Sequence, residues 1–312
     1  MKYFKRVAGC LVLLLILFAG SLSSPSSYSE TDFSMDTVIS VTAYGRKARQ
    51  AVALTLNRIC EIDVKCSAHN PKSQIYAVNH APAHTPIPVD EEVFKLLEKA
   101  IAFTELTQGN FDITLLPLST LWGFGTENPC IPEDDALQAA HNLTGADKLI
   151  LNNKDYTVTK TIDGLQLDLG AIAKGYAAEE AVRILKENGI SHAFLDLGGN
   201  VAVFGGKPLS WFESLLKRKK SQPFTIGIQH PTAVRGNVIE TVQLTDGYIV
   251  TSGDYERNFI HNGKLYHHIL DPQTGYPADS GQKSVTVIAK SGTEADILST
   301  ALFVGDHGLQ NR

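Results

Sequence analysis

The sequence holds no apolar run long enough to cross a membrane comfortably: the stretch from Cys10 to Ala19 falls short of the ~20 residues that a spanning helix needs. It has no basic stripe interleaved with aromatics, and its 28 basic residues face 33 acidic ones for a net charge of −5, which argues against a nucleic-acid partner. No Gly-x-Gly-x-x-Gly lies between a strand and a helix, so a dinucleotide fingerprint of that type is excluded. Internal repeats are absent. Cysteine is scarce, and only Cys60, Cys66 and Cys130 follow the first apolar run. None has metal-site spacing, and an odd number in an oxidising compartment leaves at least one thiol unpaired internally. Cys60 and Cys66 are close enough in sequence to bridge, although a buried free thiol is the commoner state for each. The one charge run, Lys217 to Lys220, reads as a solvated loop.

What is present starts with an export pattern. Lys2, Lys5 and Arg6 precede the apolar run, and small residues follow it at Gly20, Ser21, Ser23 and Ser24, which is the layout of a secretory signal. Residues 1–23 are therefore read as an export signal or N-terminal anchor, which places the protein on the extracytoplasmic side with a membrane tether through its N-terminus. Val7-Ala8-Gly9-Cys10 resembles a lipidation box but lies on the wrong side of the apolar run. Residues 24–33, rich in serine, read as a polar tether, and the folded body, 34–312, begins at "SMDTVISVTAYG". With 43% hydrophobic residues the chain can bury a substantial core.

Apolar periodicity predicts helices over Lys47–Asp63, Glu91–Leu106, Glu133–His141 and Lys174–Asn188, with a last one from Glu294. In the fourth, Glu179 and Arg183 are spaced to pair. Strands are predicted at "KLILN", "TVTKTI", "GLQLDL", "HAFLDLGGNVAVFGG", "FTIGIQH", "VIETVQLTDGYIVTS", "RNFIHNGKLYHHIL" and "KSVTVIAK". "NHAPAHTPIPVD" reads as a loop broken by its prolines, and "GNFDITLLPLSTLWGFG" as a buried connection and not a simple helix. Many adjacent strands with few helices indicate an α+β fold.

Three stretches concentrate residues with chemistry. In "LDLGAIAKGYA", Asp168, the small residues Gly170 and Ala171, and Lys174 stand at the entrance of a helix, where exposed amides attract anions. The plainer reading is that Asp168 caps a turn and Lys174 points into water. In "HHILDPQTGYP", His268 and Asp271 make a titratable pair beside a turn, unless Asp271-Pro272 merely starts that turn. In "GTEADILSTALF", Thr293 and Asp296 have capping-box form, while Asp296 and Thr300 project from one helix face as a partial oxygen shell for Mg²⁺.

Together "MDT", "GNFDITLLPLSTLWGFG", "LDLGAIAKGYA", "LDLGGN", "SGDYERNF", "HHILDPQTGYP" and "EADILSTALF", in this order, closely resemble the FAD:protein FMN transferase (ApbE) family over nearly the whole chain from Ser34. The resemblance implies a mainly antiparallel α+β, T-fold-like architecture. It implies Mg²⁺-dependent cleavage of FAD as substrate, with FMN moved to a Thr or Ser hydroxyl of an acceptor flavoprotein, such as a subunit of a membrane electron-transfer complex, and AMP released. Met35, Asn110, Phe111 and Asp112 would line the flavin site, with His69 at its edge. Asp168, Lys174 and Leu270 would contact FAD. The Ala171 carbonyl, Asp296 and Thr300 would bind Mg²⁺, with Ser299 at a neighbouring ligand position. His268 and Asp296 would carry the catalytic roles, His268 by assisting proton transfer from the acceptor hydroxyl.

Two departures bear on function. Cys66-Ser67-Ala68-His69 stands where the family often reads Phe-Ser-Thr-Tyr, so an imidazole replaces a larger phenol ring. That change keeps open FAD pyrophosphatase activity, with water as acceptor. Relatives also continue with another helix and strand beyond the position of Arg312, so the chain reads as truncated at its C-terminus, and a flavin binder without catalysis is the third reading.

Overall fold

The computed structural model describes residues 25–234 and 236–305. The export signal, Cys10 and the expected C-terminal truncation lie outside these residues. Strands β1 (Ser27–Ser34) and β2 (Thr37–Tyr44) lead to helices α1 (Ala48–Cys66) and α2 (Gln74–His80), the short strand β3 (Ile87–Pro88), and helices α3 (Glu91–Leu106), α4 (Leu116–Trp122) and α5 (Asp134–His141). Next come β4 (Leu149–Asn152), β5 (Thr157–Lys160), α6 (Ala173–Glu187), β6 (Ala193–Leu197), β7 (Asn200–Phe204), β8 (Lys207–Pro208), α7 (Trp211–Lys217) and β9 (Ser221–Gln222). The remainder is β10 (Phe224–Gln229), β11 (Val238–Leu244), β12 (Gly247–Gly253), β13 (Asn258–His261), β14 (Lys264–His267), β15 (Ser284–Ala289) and α8 (Gly292–Val304). None of the described helices is long and apolar enough to cross a membrane.

The centre is a six-stranded sheet in the order β1-β2-β6-β7-β12-β15, with every neighbouring pair antiparallel. Alternation sets its faces. Ile39, Val41 and Ala43 of β2 and Ala193, Leu195 and Leu197 of β6 are fully buried on the face covered by α1, α6 and α8. On the opposite face Val203 and Ile249 pack against Phe224 and Ile226 of the β10–β11 hairpin. The α+β class holds.

Several local expectations change. Residues 27–33, read as tether, belong to β1, which is held by its register with β2 from Ser27↔Tyr44 to Ser34↔Thr37. An edge strand with an exposed face draws its stability from backbone pairing, so polar side chains hide it. "LLPLSTLW" is helical because Pro117 sits in its first turn, where no amide bond is lost, and Gly123 (φ 66°) ends it. α2 was hidden in a polar stretch and is nucleated by Ser73, whose hydroxyl accepts from the amides of Ile75 and Tyr76. "GLQLDL" is not a strand: beyond a single Leu115↔Gln166 bridge, the Asn79 side chain takes the place of a partner strand, donating to Leu167 O at 2.9 Å and accepting from Leu167 N at 2.7 Å. α7 was missed altogether.

Side-chain roles also shift. Arg183 pairs with Glu180 and Glu187, not Glu179. Glu179 instead accepts from Ser291 Oγ and Thr293 N at the start of α8. The α8 cap is Ser291, which accepts from Glu294 N, so Thr293 and Asp296 do not form the box their spacing suggested. Cys60, Cys66 and Cys130 are all free, with Cys66 buried and the other two exposed. Lys217 to Lys220 are exposed as expected.

Helices α6 and α8 meet backbone to backbone at Gly175 and Gly292. A Cβ on Gly175 would lie 2.2 Å from Gly292 O and 2.7 Å from Asp296 Cβ. Both neighbours belong to packed helices, so Gly175→Ala forces the helices apart. The expected cost is about 1–3 kcal/mol, read as a lower urea midpoint at unchanged slope; a midpoint equal to that of the parent would refute the tight crossing.

Candidate functional site

A cleft of about 440 Å³ opens where the turns β1–β2 and β6–β7, the end of β12 and the starts of α4 and α6 converge. Its first wall is the opening turn of α6. Asp168 N donates to Ile113 O at 2.7 Å, which docks this turn against the segment that carries Asn110, Phe111 and Asp112. Asp168 Oδ1 accepts from Gly170 N at 2.8 Å, and Lys174 Nζ donates to Gly170 O at 2.7 Å. Asp168 therefore does shape the turn, and Lys174 lies along the cleft wall instead of pointing out to water.

The central geometry follows from one first-turn amide. Helix α6 has Ile172 as its N-cap, so Gly175 N–H is among the opening amides that find no carbonyl within their own helix. It donates to Asp296 Oδ2 at 2.8 Å. Ala171, one residue before that cap, lies outside the helical ladder and lines the cleft together with Asp296. Asp296 is 4% exposed and has no cationic side chain against it among the described residues. A buried carboxylate without a counter-charge is costly, so this position calls for a cation. Thr300, one helical turn on, also faces the cleft, its Oγ1 3.3 Å from Ser252 Oγ. A carbonyl, a carboxylate and a hydroxyl are hard oxygen donors of the kind Mg²⁺ takes. Ser299 is not brought into the cleft: it is fully buried, donates to Asp296 O at 2.9 Å and meets Ser252 Oγ at 2.8 Å. Its position supports the Asp296 turn from behind.

The second wall carries the apolar residues. Met35 and Asp36 form the β1–β2 turn with φ of 53° and 57°, as a two-residue hairpin requires. Asp63 of α1 fixes that turn by accepting from Met35 N and Ser34 Oγ, both at 2.8 Å. Phe111 is 1% exposed, so it packs as core as well as lining the cleft. The Asn110 amide is committed to Gly305 O at 2.7 Å, a structural tie to the end of α8. Burial pushes the Asp112 carboxyl up, opposed by Thr114, whose N and Oγ1 both donate to its Oδ1. His69 is exposed on the cleft rim. Cys66 also lines the cleft, but burial pushes its thiol up to about 12, so it is inert.

The far side is the turn after β14. Leu270 is 4% exposed and rests on Leu118 and Trp122, within an aromatic group that includes Phe124, Phe259, Tyr266 and Tyr276. Trp122 Nε1 donates to Gly275 O at 2.9 Å and pins the turn. Asp271 is spent on that turn, accepting from Gln273 N and Thr274 Oγ1, so it does not pair with His268. His268 faces the cleft, and its Nδ1 is buried without a hydrogen-bond partner. Burial first, then the charges of Arg257, His267 and Lys174, push its imidazole down to about 4, so it is neutral at pH 7.

Three participants were not singled out in the sequence. Asn200 is 3% exposed, lines the cleft and leaves Nδ2 without a partner, a donor held for a ligand. Arg257 lies at the mouth, 3.8 Å from Asp36. Ser252, at the end of β12, braces Ser299 and Thr300. All three stand inside quoted motifs, "LDLGGN" and "SGDYERNF", but nothing in those strings ranks one polar residue above its neighbours.

A sequence profile of the ApbE family matches residues 35–310. The FAD:protein FMN transferase of Treponema pallidum is 32% identical over 309 residues, covering 95% of this chain and 84% of that protein. A protein of the same name from Klebsiella pneumoniae is 35% identical over 237 residues, covering 76% of this chain and 70% of its own length. Among solved structures, the ApbE protein of Thermotoga maritima superposes with a TM-score of 0.81 at 36% identity, over 92% of this chain and 89% of that one. The flavin transferase ApbE of Vibrio cholerae gives 0.77 at 27%, over 91% and 89%. Shared sequence along the whole fold and a matching architecture lead to one conclusion: this chain belongs to the ApbE family.

Proposed function

We propose that the protein transfers FMN from FAD to a Ser or Thr hydroxyl of an acceptor flavoprotein and releases AMP. The observation that carries this reading is the bond from Gly175 N–H to Asp296, which fixes a buried carboxylate in a cleft also lined by Ala171, Thr300, Lys174, Arg257 and a neutral His268. Relatives over almost the full chain bear the name of this activity.

In the proposed reaction the acceptor oxygen bonds the phosphorus of the FMN half and the pyrophosphate P–O bond breaks, its electron pair leaving with AMP. His268, neutral and buried on one side, takes the hydroxyl proton. Lys174 and Arg257 offset charge on the departing phosphate, and Asn200 Nδ2 supplies a fixed donor. Met35, Phe111, Leu270 and His69 provide apolar and ring contacts for the flavin. The Ala171 carbonyl, Asp296 Oδ1 and Thr300 Oγ1 would hold Mg²⁺, which would polarise the phosphoryl oxygens. The export pattern at residues 2–24 supports action at the extracytoplasmic face of the membrane, on a subunit of an electron-transfer complex. Fractionation that finds the protein in the cytoplasm would reject that location.

Incubation with FAD, Mg²⁺ and an acceptor domain is expected to yield a flavin band that survives denaturation, and Asp296→Asn should lower its rate by about 10²-fold or more. Steady release of FMN and AMP without acceptor would instead favour the pyrophosphatase, and FAD binding without turnover the inert binder.

The His268 shift sets a pH dependence. Its folded value near 4 lies below the ordinary 6.5, so the stability held by the neutral ring is complete above 6.5 and is lost as pH falls toward 4. The transfer rate should stay level from neutral pH down to about 5 as far as this group decides it. Ring titration by NMR checks the value, and a midpoint near 6.5 would contradict the buried placement.

A further inference from the structure

Helix α7 stands apart from every other helix of the described fold. It has a complete capping box, with Ser210 Oγ accepting from Glu213 N and Glu213 reaching back to Ser210 N, yet none of its residues is buried. Trp211, Leu215 and Leu216 are 57%, 62% and 68% exposed. Helical spacing puts Trp211 with Leu215 and Phe212 with Leu216, one turn apart, on a single apolar side. Glu213 and Lys217 occupy the other. The segment is anchored at its base by the β8–β9 pairs Lys207↔Gln222 and Pro208↔Ser221, so the helix is presented and does not fold back. Between Lys207 and Gln222 five cations, Lys207, Lys217, Arg218, Lys219 and Lys220, accompany the single carboxylate of Glu213.

We infer that α7 and the basic run behind it form a contact site for an anionic lipid surface, with the apolar side entering the headgroup boundary and the cations meeting lipid phosphates. A preformed amphipathic helix bearing Trp and Leu, flanked by Lys and Arg, is the chemistry that such a surface selects. Position supports it independently. Ser27 pairs with Tyr44, Ala43 with Ala193, and Ala193 with Phe204, so the start of β1 and the end of β7 lie at one end of the sheet. The chain following the apolar run Cys10–Ala19 thus enters the fold at the end from which β8, α7 and β9 project. Met35, Gly198 and Asn200, at the opposite strand ends, line the cleft, a strand length of ~16 Å away. The start of β1 and helix α7 share one pole and the cleft occupies the other. An acceptor bound at α7 would sit on the wrong side of the sheet to offer its hydroxyl, and a symmetric second copy would set two basic runs against each other.

Trp122 is fully buried and Trp211 exposed, and the chain has 2 tryptophans, so a change in emission on adding lipid reports Trp211. The full chain is titrated with phosphatidylcholine vesicles with and without phosphatidylglycerol. A blue shift is expected with the anionic vesicles only. Replacing Lys217, Arg218, Lys219 and Lys220 by Gln should raise the anionic lipid needed for half the shift on the order of 10³-fold. Leu215→Glu with Leu216→Glu should abolish the shift while circular dichroism melting stays that of the parent. No shift on anionic vesicles that carry the protein, or an equal shift on neutral ones, would overturn the inference. So would a shift produced without lipid by an acceptor flavoprotein, which would make α7 a protein-docking site, or by raising the protein concentration, which would make it a self-association face.

Discussion

The hydrogen bond from Gly175 N–H to Asp296 Oδ2 joins the two helices that bear the site, and much of the cleft depends on it. It requires α6 and α8 to touch backbone to backbone, which only glycine at 175 and 292 permits. It orients the Asp296 carboxylate, and it satisfies a first-turn amide of α6 that has no partner within its own helix. A packing constraint and the placement of the cleft's buried carboxylate are thus two results of one contact. The rest of the structure holds that contact in place: Ser252 and Ser299 brace α8 from the sheet, and Glu179 of α6 caps the first turn of α8 from the other side.

Around this junction each wall is tied down by groups that do no chemistry. Asp63 fixes the Met35 turn, Asn79 replaces a missing strand beneath Leu167, and Trp122 pins the turn after Leu270. Arg58 joins Glu92 of α3 to Glu180 of α6, with Tyr176 completing the group through Glu92. Burial opposes the Arg58 charge, but its bonds to both carboxylates outweigh that and raise its pKa. Such ties matter because the residues facing FAD come from separate loops, and loops place side chains accurately only when their backbones are held.

The sheet also divides the molecule. Its strand ends at Met35 and Gly198 face the cleft, whereas those at Ser27 and Phe204 lie at the end from which α7 projects. Adjacent antiparallel strands return the chain to alternate ends, so two surfaces of different character can be built by one sheet without sharing residues.

The sequence by itself determined the helical and strand periodicities, the α+β class and the order of motifs that marks the family, because these depend on side chains close together along the chain. Sequence also located Asp168, Lys174, His268, Asp296 and Thr300 as residues of interest. It misread β1, since an edge strand is stabilised by a partner and not by its own side chains. It paired Glu179 with Arg183 and Thr293 with Asp296 because spacing is blind to the neighbouring helix. Tertiary structure alone decided that Ser299 turns inward, that Asn110 is committed to Gly305, that Asn200 keeps an unspent donor, and that Asp296 takes the Gly175 amide. Each of these depends on groups far apart along the chain, and no pattern within a single segment records that.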